Sequence, residues 1–261
     1  MMNILQPVLA IKNVEKSFGR QQQTLPIIQN ITLHVDHNEI VAVLGKSGSG
    51  KSTLLHIIAG LESPTSGSVL CNSLPVKGPC PDVSMVFQSF ALFPWLTVSG
   101  NIAFGLEALG LPESEVKRRT VDMIDLIGLS GYANAWPREL SGGMKQRIGF
   151  ARALAVEPTL LLLDEPFSAL DIYSARKLRQ ELMHLWQQKT LKTQAMVLVT
   201  HNVEEAVMLC DRVLLMTGNP GTLTDNFHIG IPREQRNSDN TQPLIELISR
   251  TLTQKIATTS H

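Results

Sequence analysis

The sequence has no excess of charge of either sign: its 261 residues include 23 Lys and Arg and 23 Asp and Glu. Domains that bind nucleic acid usually carry a basic excess or stripe, so this balance argues against a nucleic-acid partner. The three cysteines, Cys71, Cys80 and Cys210, form no C-x-x-C pair. This disfavours a disulfide framework or a structural zinc site, and we expect three small buried hydrophobic residues in a reducing compartment.

Long apolar runs are also missing. The longest, such as LLLL at 160–163, fall far short of the roughly 18 residues that span a bilayer. The N-terminus, MMNILQPVLAIKN, has neither a basic start nor a sustained apolar stretch, so no signal peptide is expected. We therefore expect a soluble chain, long enough for one large domain or a domain with a subdomain, that reaches a membrane only through a partner.

What the sequence does contain is a change of hydrophobic pattern along the chain. The first ninety residues favour short strands, residues 89–157 favour helices, and strands and helices then alternate, which indicates a parallel sheet covered by helices. Strands are expected at 8–14, 31–35, 39–45, 68–72, 83–87, 159–163, 195–199 and 212–216. Helices are expected from Lys51 to a stop at Gly60, at 99–109, 113–128, 141–156, 172–188 and 202–209, and from 241 onward.

One glycine-rich segment, GKSGSGKS at 45–52, fits the phosphate-loop pattern G-x-x-x-x-G-K-[ST]. A buried strand leads into it and a helix leads out, so backbone N–H groups can surround phosphate oxygens at the helix N-terminus. In this pattern Lys51 supplies charge to the β- and γ-phosphates, and Ser52 offers its hydroxyl to Mg²⁺. The predicted ATP-binding residues of the loop are Gly45, Lys46, Ser47, Gly48, Ser49, Gly50, Lys51, Ser52 and Thr53.

A second segment, LLLLDEP at 160–166, is an apolar strand that ends in two carboxylates. At the carboxyl end of a parallel strand, Asp164 suits a Mg²⁺ site. Its neighbour Glu165 is placed to orient or deprotonate an attacking water.

Together with further motifs, these segments resemble the ATP-binding cassette (ABC) ATPases. The six elements occur in the order of that family and the match spans roughly residues 8–225. They are the phosphate loop, FQ at 87–88, LSGGMKQR at 140–147, LLLLDEP, SALD at 168–171 and VTH at 199–201.

The resemblance implies an α/β fold and an activity. The fold is a P-loop NTPase core with a parallel sheet, an N-terminal antiparallel β subdomain and an inserted α-helical signature subdomain. The expected ATPase domain covers residues 1–225, with the helical subdomain at about 89–157 and a short C-terminal extension at 226–261. The activity is hydrolysis of ATP with water to ADP and phosphate, with Mg²⁺.

The resemblance also assigns roles to single residues. Phe18 corresponds to the aromatic that stacks on adenine, Gln88 to the glutamine that contacts ATP and Mg²⁺, and His201 to the switch histidine at the γ-phosphate. Taken alone, Phe18 would be more typical of a core aromatic, and His201 of a structural histidine. Asn202 stands where the family usually has Asp, a departure that removes a charge but no catalytic group.

The signature LSGGMKQR raises a question, because one bound nucleotide needs only one glycine loop. In ABC ATPases two subunits pack head to tail, and Ser141, Gly142 and Gly143 of one subunit cap the γ-phosphate held by the other. The residue types agree: Ser141 is a helix N-cap type, and two glycines let an anionic oxygen approach a helix N-terminus. The resemblance therefore implies a homodimer that holds ATP between its subunits.

Single copies of every motif imply a separate subunit rather than a fused tandem. Because no spanning segment is expected, the resemblance implies a subunit that docks on an integral-membrane permease, peripherally on the cytoplasmic face of the cell (inner) membrane. A periplasmic solute-binding protein would take part indirectly. After Gln88, the residues Phe93, Trp95 and Leu96 fit either a permease-facing surface or buried core. LFPWLTVSGNI and GNPG resemble nitrate, aliphatic-sulfonate and taurine importer ATPases. The alternative is a soluble ABC ATPase that acts in assembly or repair without a membrane partner.

Overall fold

The computed structural model describes residues 6–20, 23–189 and 191–258, and the chain divides into two compact units. The first unit comprises the chain up to Cys80 and from Gln194 onward, and the second is Pro81–Thr193. The strands are β1 (Leu9–Arg20), β2 (Gln23–Val35), β3 (Glu39–Leu44), β4 (Ser66–Cys71), β5 (Leu74–Pro75), β6 (Val83–Val86), β7 (Leu160–Asp164), β8 (Ala195–Thr200), β9 (Arg212–Gly218) and β10 (Gly221–His228). The helices are α1 (Lys51–Ile58), α2 (Val98–Ala108), α3 (Glu113–Leu126), α4 (Gly142–Ala155), α5 (Ile172–Gln187), α6 (Val203–Leu209) and α7 (Ser238–Thr258).

The first unit is built on a mixed sheet with the strand order β5-β4-β1-β2-β10-β9-β3-β8. Its antiparallel part joins β1 to β2 and β4, while β3 runs parallel to both β8 and β9. Strands β3 and β8 are buried along almost their whole length, which explains why they consist of continuous apolar runs. This buried parallel pair carries the phosphate loop at the end of β3 and His201 at the end of β8.

The second unit contains the parallel pair β6–β7 and the helices α2 to α5. Helices α2, α3 and α4 pack around their own apolar core. On α4, Ile148, Ala151 and Ala155 are buried and Met144 is partly buried, at the helical spacing that the sequence predicts. Fully or almost fully buried members of this core include Val98, Ile102, Leu106, Ile124, Ile148 and Ala151.

Most predicted elements are present within a few residues, and the differences have local causes. Strands β1 and β2 extend toward each other as a hairpin, which includes Phe18 opposite Leu25. Strand β10 was not predicted. The last helix begins at Ser238, before the predicted residue 241, because the side-chain oxygen of Asn237 accepts bonds from the N–H groups of Asp239 and Asn240.

Other expectations can be compared with burial. Cys71 and Cys210 are buried free thiols as expected, whereas Cys80 is only partly buried. Burial raises the pKa of the Cys210 thiol, which suits an inert core residue. In the described part of the chain, none of the helices is both long and apolar enough to cross a membrane. The predicted boundaries of the helical subdomain and of the C-terminal extension stay predictions.

Candidate nucleotide-binding site

The phosphate loop follows the buried strand β3 and leads directly into α1, as predicted. Gly50, the residue before α1, has a φ of +91°, a left-handed conformation that favours glycine. A Cβ atom there would also lie 2.5 Å from Cγ2 of Ile28. Because the first N–H groups of an α-helix have no intrahelical acceptor, the start of α1 at Lys51 offers donors to an anion.

Lys51 is the loop's buried cation, with 5% of its surface exposed. Its ammonium group donates to the carbonyl oxygens of Gly45 and Lys46, each at 2.9 Å. These bonds hold the charge inside the curve of the loop. Ser52 is exposed and Thr53 is half-buried, both on the first turn of α1.

The remaining loop residues, 46–49, line a cleft of about 300 Å³ together with Met216–Asn219 and Ile256. Lys46, Ser47 and Gly48 are exposed there, whereas Ser49 is buried. The carbonyl oxygen of Ser49 lies only 2.0 Å from where a Cβ of Gly221 would stand. Gly221 therefore packs directly against the phosphate loop, a role that sequence reasoning missed, although the turn signal GNPG at 218–221 could have suggested it.

Phe18 lies on β1 with 43% of its surface exposed, and it is therefore not a core aromatic. Its cross-strand neighbour on β2 is Leu25, which is also exposed. The ammonium group of Lys16 lies 4.6 Å from the centre of the Phe18 ring and is bonded to a carboxylate oxygen of Glu62 at 2.9 Å. The ring is thus held by a cation–π contact and presents apolar surface to solvent.

His201 directly follows β8 and is exposed. The residues on either side of it, Thr200 and Asn202, both form hydrogen bonds with Glu205 in the first turn of α6. Asn202 is the N-cap of α6, and its Oδ1 accepts a bond from the N–H of Glu205 at 3.0 Å. The hydroxyl of Thr200 donates to a carboxylate oxygen of Glu205 at 2.6 Å. Asparagine caps a helix as well as aspartate does, so the departure at 202 keeps the local structure.

In the second unit, three predicted residues come from two neighbouring strand ends. Asp164 is the buried last residue of β7, and Glu165 directly follows it. Glu165 has a φ of +43°, which is a strained conformation for a residue other than glycine. The amide nitrogen of Gln88, just after β6, lies 3.3 Å from a carboxylate oxygen of Glu165. The structure thus brings Gln88 and Glu165 together.

The signature turn opens helix α4, as predicted. Ser141 is its N-cap, and the hydroxyl oxygen accepts a bond from the N–H of Met144 at 3.3 Å. A Cβ at Gly142 would meet its nearest neighbour, Phe90, at 3.8 Å, and one at Gly143 would meet Ser174 at 3.5 Å. Both are ordinary van der Waals distances, and neither glycine has a positive φ. Ser141 and Gly142 are exposed.

The SALD segment ends at Asp171, which caps α5. Its carboxylate accepts bonds from the N–H groups of Tyr173 and Ser174, each at 3.0 Å. The side chain of Ser174, followed by these backbone donors, lowers the pKa of Asp171. The next two residues, Ile172 and Tyr173, are among the most exposed large side chains of the described chain.

An aromatic group follows Gln88 in the second unit. Phe93 packs against Phe104 and Trp95, with ring centres 4.6 Å and 5.5 Å apart, and the guanidinium of Arg152 lies over the Phe93 ring. Burial lowers the pKa of Arg152. Trp95 is 67% exposed, whereas Phe93 and Leu96 are partly buried. Of the two alternatives left open by the sequence, Trp95 is therefore a surface residue of its unit.

Comparison with known proteins identifies the family. The profile of the family described as "ABC transporter" matches residues 28–168, which is more than half of the chain. The chain therefore belongs to the ABC transporter family, and it is an ATP-binding, ATP-hydrolysing ABC ATPase. The predicted family and activity are confirmed.

Two relatives narrow the comparison. The nitrate import ATP-binding protein NrtD of Synechocystis is 41% identical over 232 residues, covering 89% of this chain and 86% of the relative. The aliphatic sulfonates import ATP-binding protein SsuB of Bacillus licheniformis is 38% identical over 251 residues, covering 96% and 95%. These relatives confirm the predicted resemblance to importer ATPases of this group and favour a transporter subunit over the soluble alternative.

A solved structure confirms the predicted fold. The dimeric, post-hydrolysis state of the ATP-binding cassette MJ0796, bound to ADP and phosphate, superimposes with a TM-score of 0.76. It is 30% identical in sequence, and the match covers 86% of this chain and all of that one.

Proposed function

We propose that this chain energises the import of a small anion through a separate permease, as a head-to-tail homodimer that holds two ATP molecules between its subunits. The relatives named for nitrate, aliphatic sulfonates and taurine support a solute that carries an anionic oxygen group. The chain would act peripherally on the cytoplasmic face of the cell (inner) membrane. A periplasmic solute-binding protein would deliver the solute to the permease.

The geometry of the signature turn is the main support for the proposed dimer. In the interior of a helix, glycine costs about 0.5–1 kcal/mol of stability relative to alanine, so two glycines in the first turn of α4 do not favour the helix. Against the described residues of its own chain, alanine would fit at both Gly142 and Gly143 without strain or clash. Their small size leaves room at the helix start for a group that approaches from outside the chain. The γ-phosphate of an ATP held by the partner subunit is such a group, and an N-terminal helix end attracts it.

Ser141 can contribute to the same contact while it caps its own helix. Its hydroxyl oxygen accepts the bond from Met144, and a hydroxyl also has one proton to donate. That proton would go to a γ-phosphate oxygen of the partner's ATP. The cap holds the serine side chain at the helix end, where the donor is required.

In each subunit's own loop, we assign the phosphates to the backbone N–H groups at the start of α1 and to Lys51. The buried ammonium has three donors, and it is held within the curve where the β- and γ-phosphates would lie. Phe18 would carry the adenine on its exposed ring, with Lys16 fixing the ring's position.

The donor set proposed for Mg²⁺ is the hydroxyl of Ser52, the amide oxygen of Gln88 and the carboxylate of Asp164. All three are hard oxygen ligands, which Mg²⁺ prefers in combination with substrate phosphates. The amide nitrogen of Gln88 is the atom that contacts Glu165, so its amide oxygen is the atom that we assign to the cation. Mg²⁺ would neutralise charge on the phosphate oxygens.

For the chemical step, Glu165 is the residue we assign to the attacking water, which its carboxylate would orient or deprotonate. Its left-handed backbone supports a functional role, since strained conformations outside glycine cluster at active sites. His201, exposed at the end of β8, would bond the γ-phosphate. Trp95, with Phe93 and Leu96, would face the permease.

Replacing Glu165 with Gln tests the mechanism. The change keeps the side chain's size and its contact with Gln88 but removes the carboxylate, so ATP should bind while hydrolysis stops. Because ATP bridges the two subunits and is no longer consumed, the variant should accumulate as a dimer. Light scattering with saturating ATP measures this state, with ADP as the ligand control and Glu107→Gln, an exposed glutamate, as the matched variant.

Two results would contradict the proposal. A Glu165→Gln chain that hydrolyses ATP at the wild-type rate would remove the catalytic role of Glu165. A chain that binds ATP, does not hydrolyse it and still remains monomeric would remove the ATP-bridged dimer.

A further inference from the structure

A buried arginine from the C-terminal part of the chain caps the C-terminal end of helix α6. Arg236, 8% exposed, lies between β10 and α7. One of its guanidinium nitrogens donates to the carbonyl oxygens of Val207 at 2.8 Å, Met208 at 3.3 Å and Cys210 at 2.7 Å. Its Nε donates to the carbonyl oxygen of Ile231 at 2.9 Å. The guanidinium thus replaces the hydrogen-bond partners that the last turn of a helix lacks.

This contact matters more for α6 than it would for a longer helix. Helix α6 has only seven residues, and isolated helices of that length are not stable in water. A cation at the C-terminal end also offsets the partial negative charge of the aligned carbonyl groups. Arg236 is therefore a main support of α6 at this end, from a residue 26 positions further along the chain than Cys210.

The other end of α6 is bonded to the residues on both sides of His201. The carboxylate of Glu205, in the first turn of α6, accepts a bond from the Thr200 hydroxyl, and the Asn202 side chain caps the same turn. The N–H of Asn202 in turn donates to the Thr200 hydroxyl oxygen at 3.1 Å. The backbone on either side of His201 is thus fixed relative to α6, and a shift of α6 would move the histidine.

The C-terminal segment that carries Arg236 is itself anchored. Ile248 of α7 is completely buried, and Thr241, at the start of α7, is 1% exposed. Toward the far end of α7, Lys255 forms an ion pair of 3.5 Å with Asp225 of β10. Arg236 therefore contacts α6 from a segment that is held in place by the packing of α7.

We infer that Arg236 is a positioning residue for ATP hydrolysis, which holds α6 so that His201 is placed for the γ-phosphate. The inference rests on the proposed role of His201. It gives the C-terminal segment a function in the catalytic cycle: this part of the chain, which follows all six family motifs, sets the position of the switch histidine.

The test compares Arg236→Gln and Arg236→Lys with Arg250→Gln, a change at an exposed arginine of α7. In the full chain, Arg236→Gln should lower the turnover number by about ten- to hundredfold, because a displacement of about 1 Å at a reacting site has effects of that size. The KM for ATP should stay within about threefold, since Lys51 and the phosphate loop are untouched. Arg236→Lys, which keeps a cation near the carbonyls, should recover part of the turnover.

The NMR signal of the His201 imidazole distinguishes a positioning role of Arg236 from a merely structural one, which would leave that signal unchanged. The chain has seven histidines, and His201→Gln assigns the signal of His201. In a folded Arg236→Gln chain, this signal should shift while the remaining signals and all signals of Arg250→Gln stay in place. If Arg236→Gln does not fold, Arg236→Lys is used, with faster amide exchange in α6 as the sign of a weakened contact.

The outcomes separate this inference from the proposed function. If His201→Gln abolishes hydrolysis but a folded Arg236 variant with weakened α6 keeps the wild-type turnover and His201 signal, the positioning role of Arg236 is wrong. If His201→Gln itself hydrolyses ATP normally, the proposed role of His201 is wrong, and the inference fails with it. Equal losses of ATP affinity and turnover in Arg236→Gln would show a general disruption and would also overturn the positioning role.

Discussion

The turn between β9 and β10 supports the phosphate loop, and Gly221→Ala measures how close that support is. A Cβ at Gly221 would lie 2.0 Å from the carbonyl oxygen of Ser49 and 2.9 Å from Cε of Met216. Real Cβ atoms essentially never approach closer than 3.0 Å, so the two segments would have to separate by about 1 Å, the difference between 3.0 and 2.0 Å. The nearest atom belongs to backbone, so the loop itself must move.

The expected magnitudes follow from this displacement. Forcing extra atoms into a packed site destabilises the folded protein by about 1–3 kcal/mol. Replacing glycine with alanine also reduces the entropy of the unfolded chain, which offsets about 0.4–1 kcal/mol of this loss. We therefore expect a net loss of up to about 2.6 kcal/mol in the free energy of unfolding. A displacement of about 1 Å at the phosphate donors should also lower ATP affinity and turnover by about ten- to hundredfold.

The assay combines urea unfolding with equilibrium binding of a fluorescent ATP analogue. Gly230→Ala is the matched control, because Gly230 is exposed and a Cβ there would meet no atom within 4 Å. The control should retain its affinity and lose no stability. A Gly221→Ala chain that binds ATP and unfolds like Gly230→Ala would refute the view that this turn fixes the loop.

Two further predictions concern the surfaces that we propose meet other chains. Ser141→Arg should leave the ATP affinity of the isolated monomer within about twofold, while steady-state hydrolysis collapses and about 1 kcal/mol of stability is lost with the N-cap. A parallel fall in monomer affinity would mean that the serine acts on its own subunit's nucleotide. Trp95→Ala should weaken co-sedimentation with permease-containing membranes yet change the free energy of unfolding by less than about 1 kcal/mol. Its control is Tyr132→Ala, at another exposed aromatic residue, which should be equally stable and should retain membrane binding. A large loss of stability in Trp95→Ala would favour a core role.

The elements that could be predicted are those whose cause is local in sequence. Strand β3, the phosphate loop and α1 form such a unit, since a continuous apolar run, a glycine-rich turn and a helical pattern follow one another within residues 39–60. The position of Asp164 and Glu165 at a strand end could also be predicted, because an apolar run that stops at two carboxylates indicates the end of a buried strand. In both cases the residues that determine the structure are neighbours in the chain.

The features that could not be predicted depend on contacts between distant segments. Strand β10, TLTDNFH after Gly221, has a mixed pattern and is fixed by its antiparallel pairing with β9 and one parallel pair with β2. Gly221 acquires its role only because Ser49 passes beside it. Arg236 lies in a polar stretch, PREQRNSDN, typical of an exposed loop, and its burial follows from four carbonyl oxygens that no local pattern brings together.

The two glycine-rich helix starts show how the same residue type serves two purposes. At Gly50 the chain's own fold requires glycine, through the left-handed backbone and the 2.5 Å approach of Ile28. At Gly142 and Gly143 the fold makes no such demand. Glycines that weaken a helix without easing any local strain make sense where the missing side chains leave room for a ligand from another molecule. A γ-phosphate bound at one such start and capped by the other would join two subunits until hydrolysis removes it, which couples the chemistry to opening of the dimer.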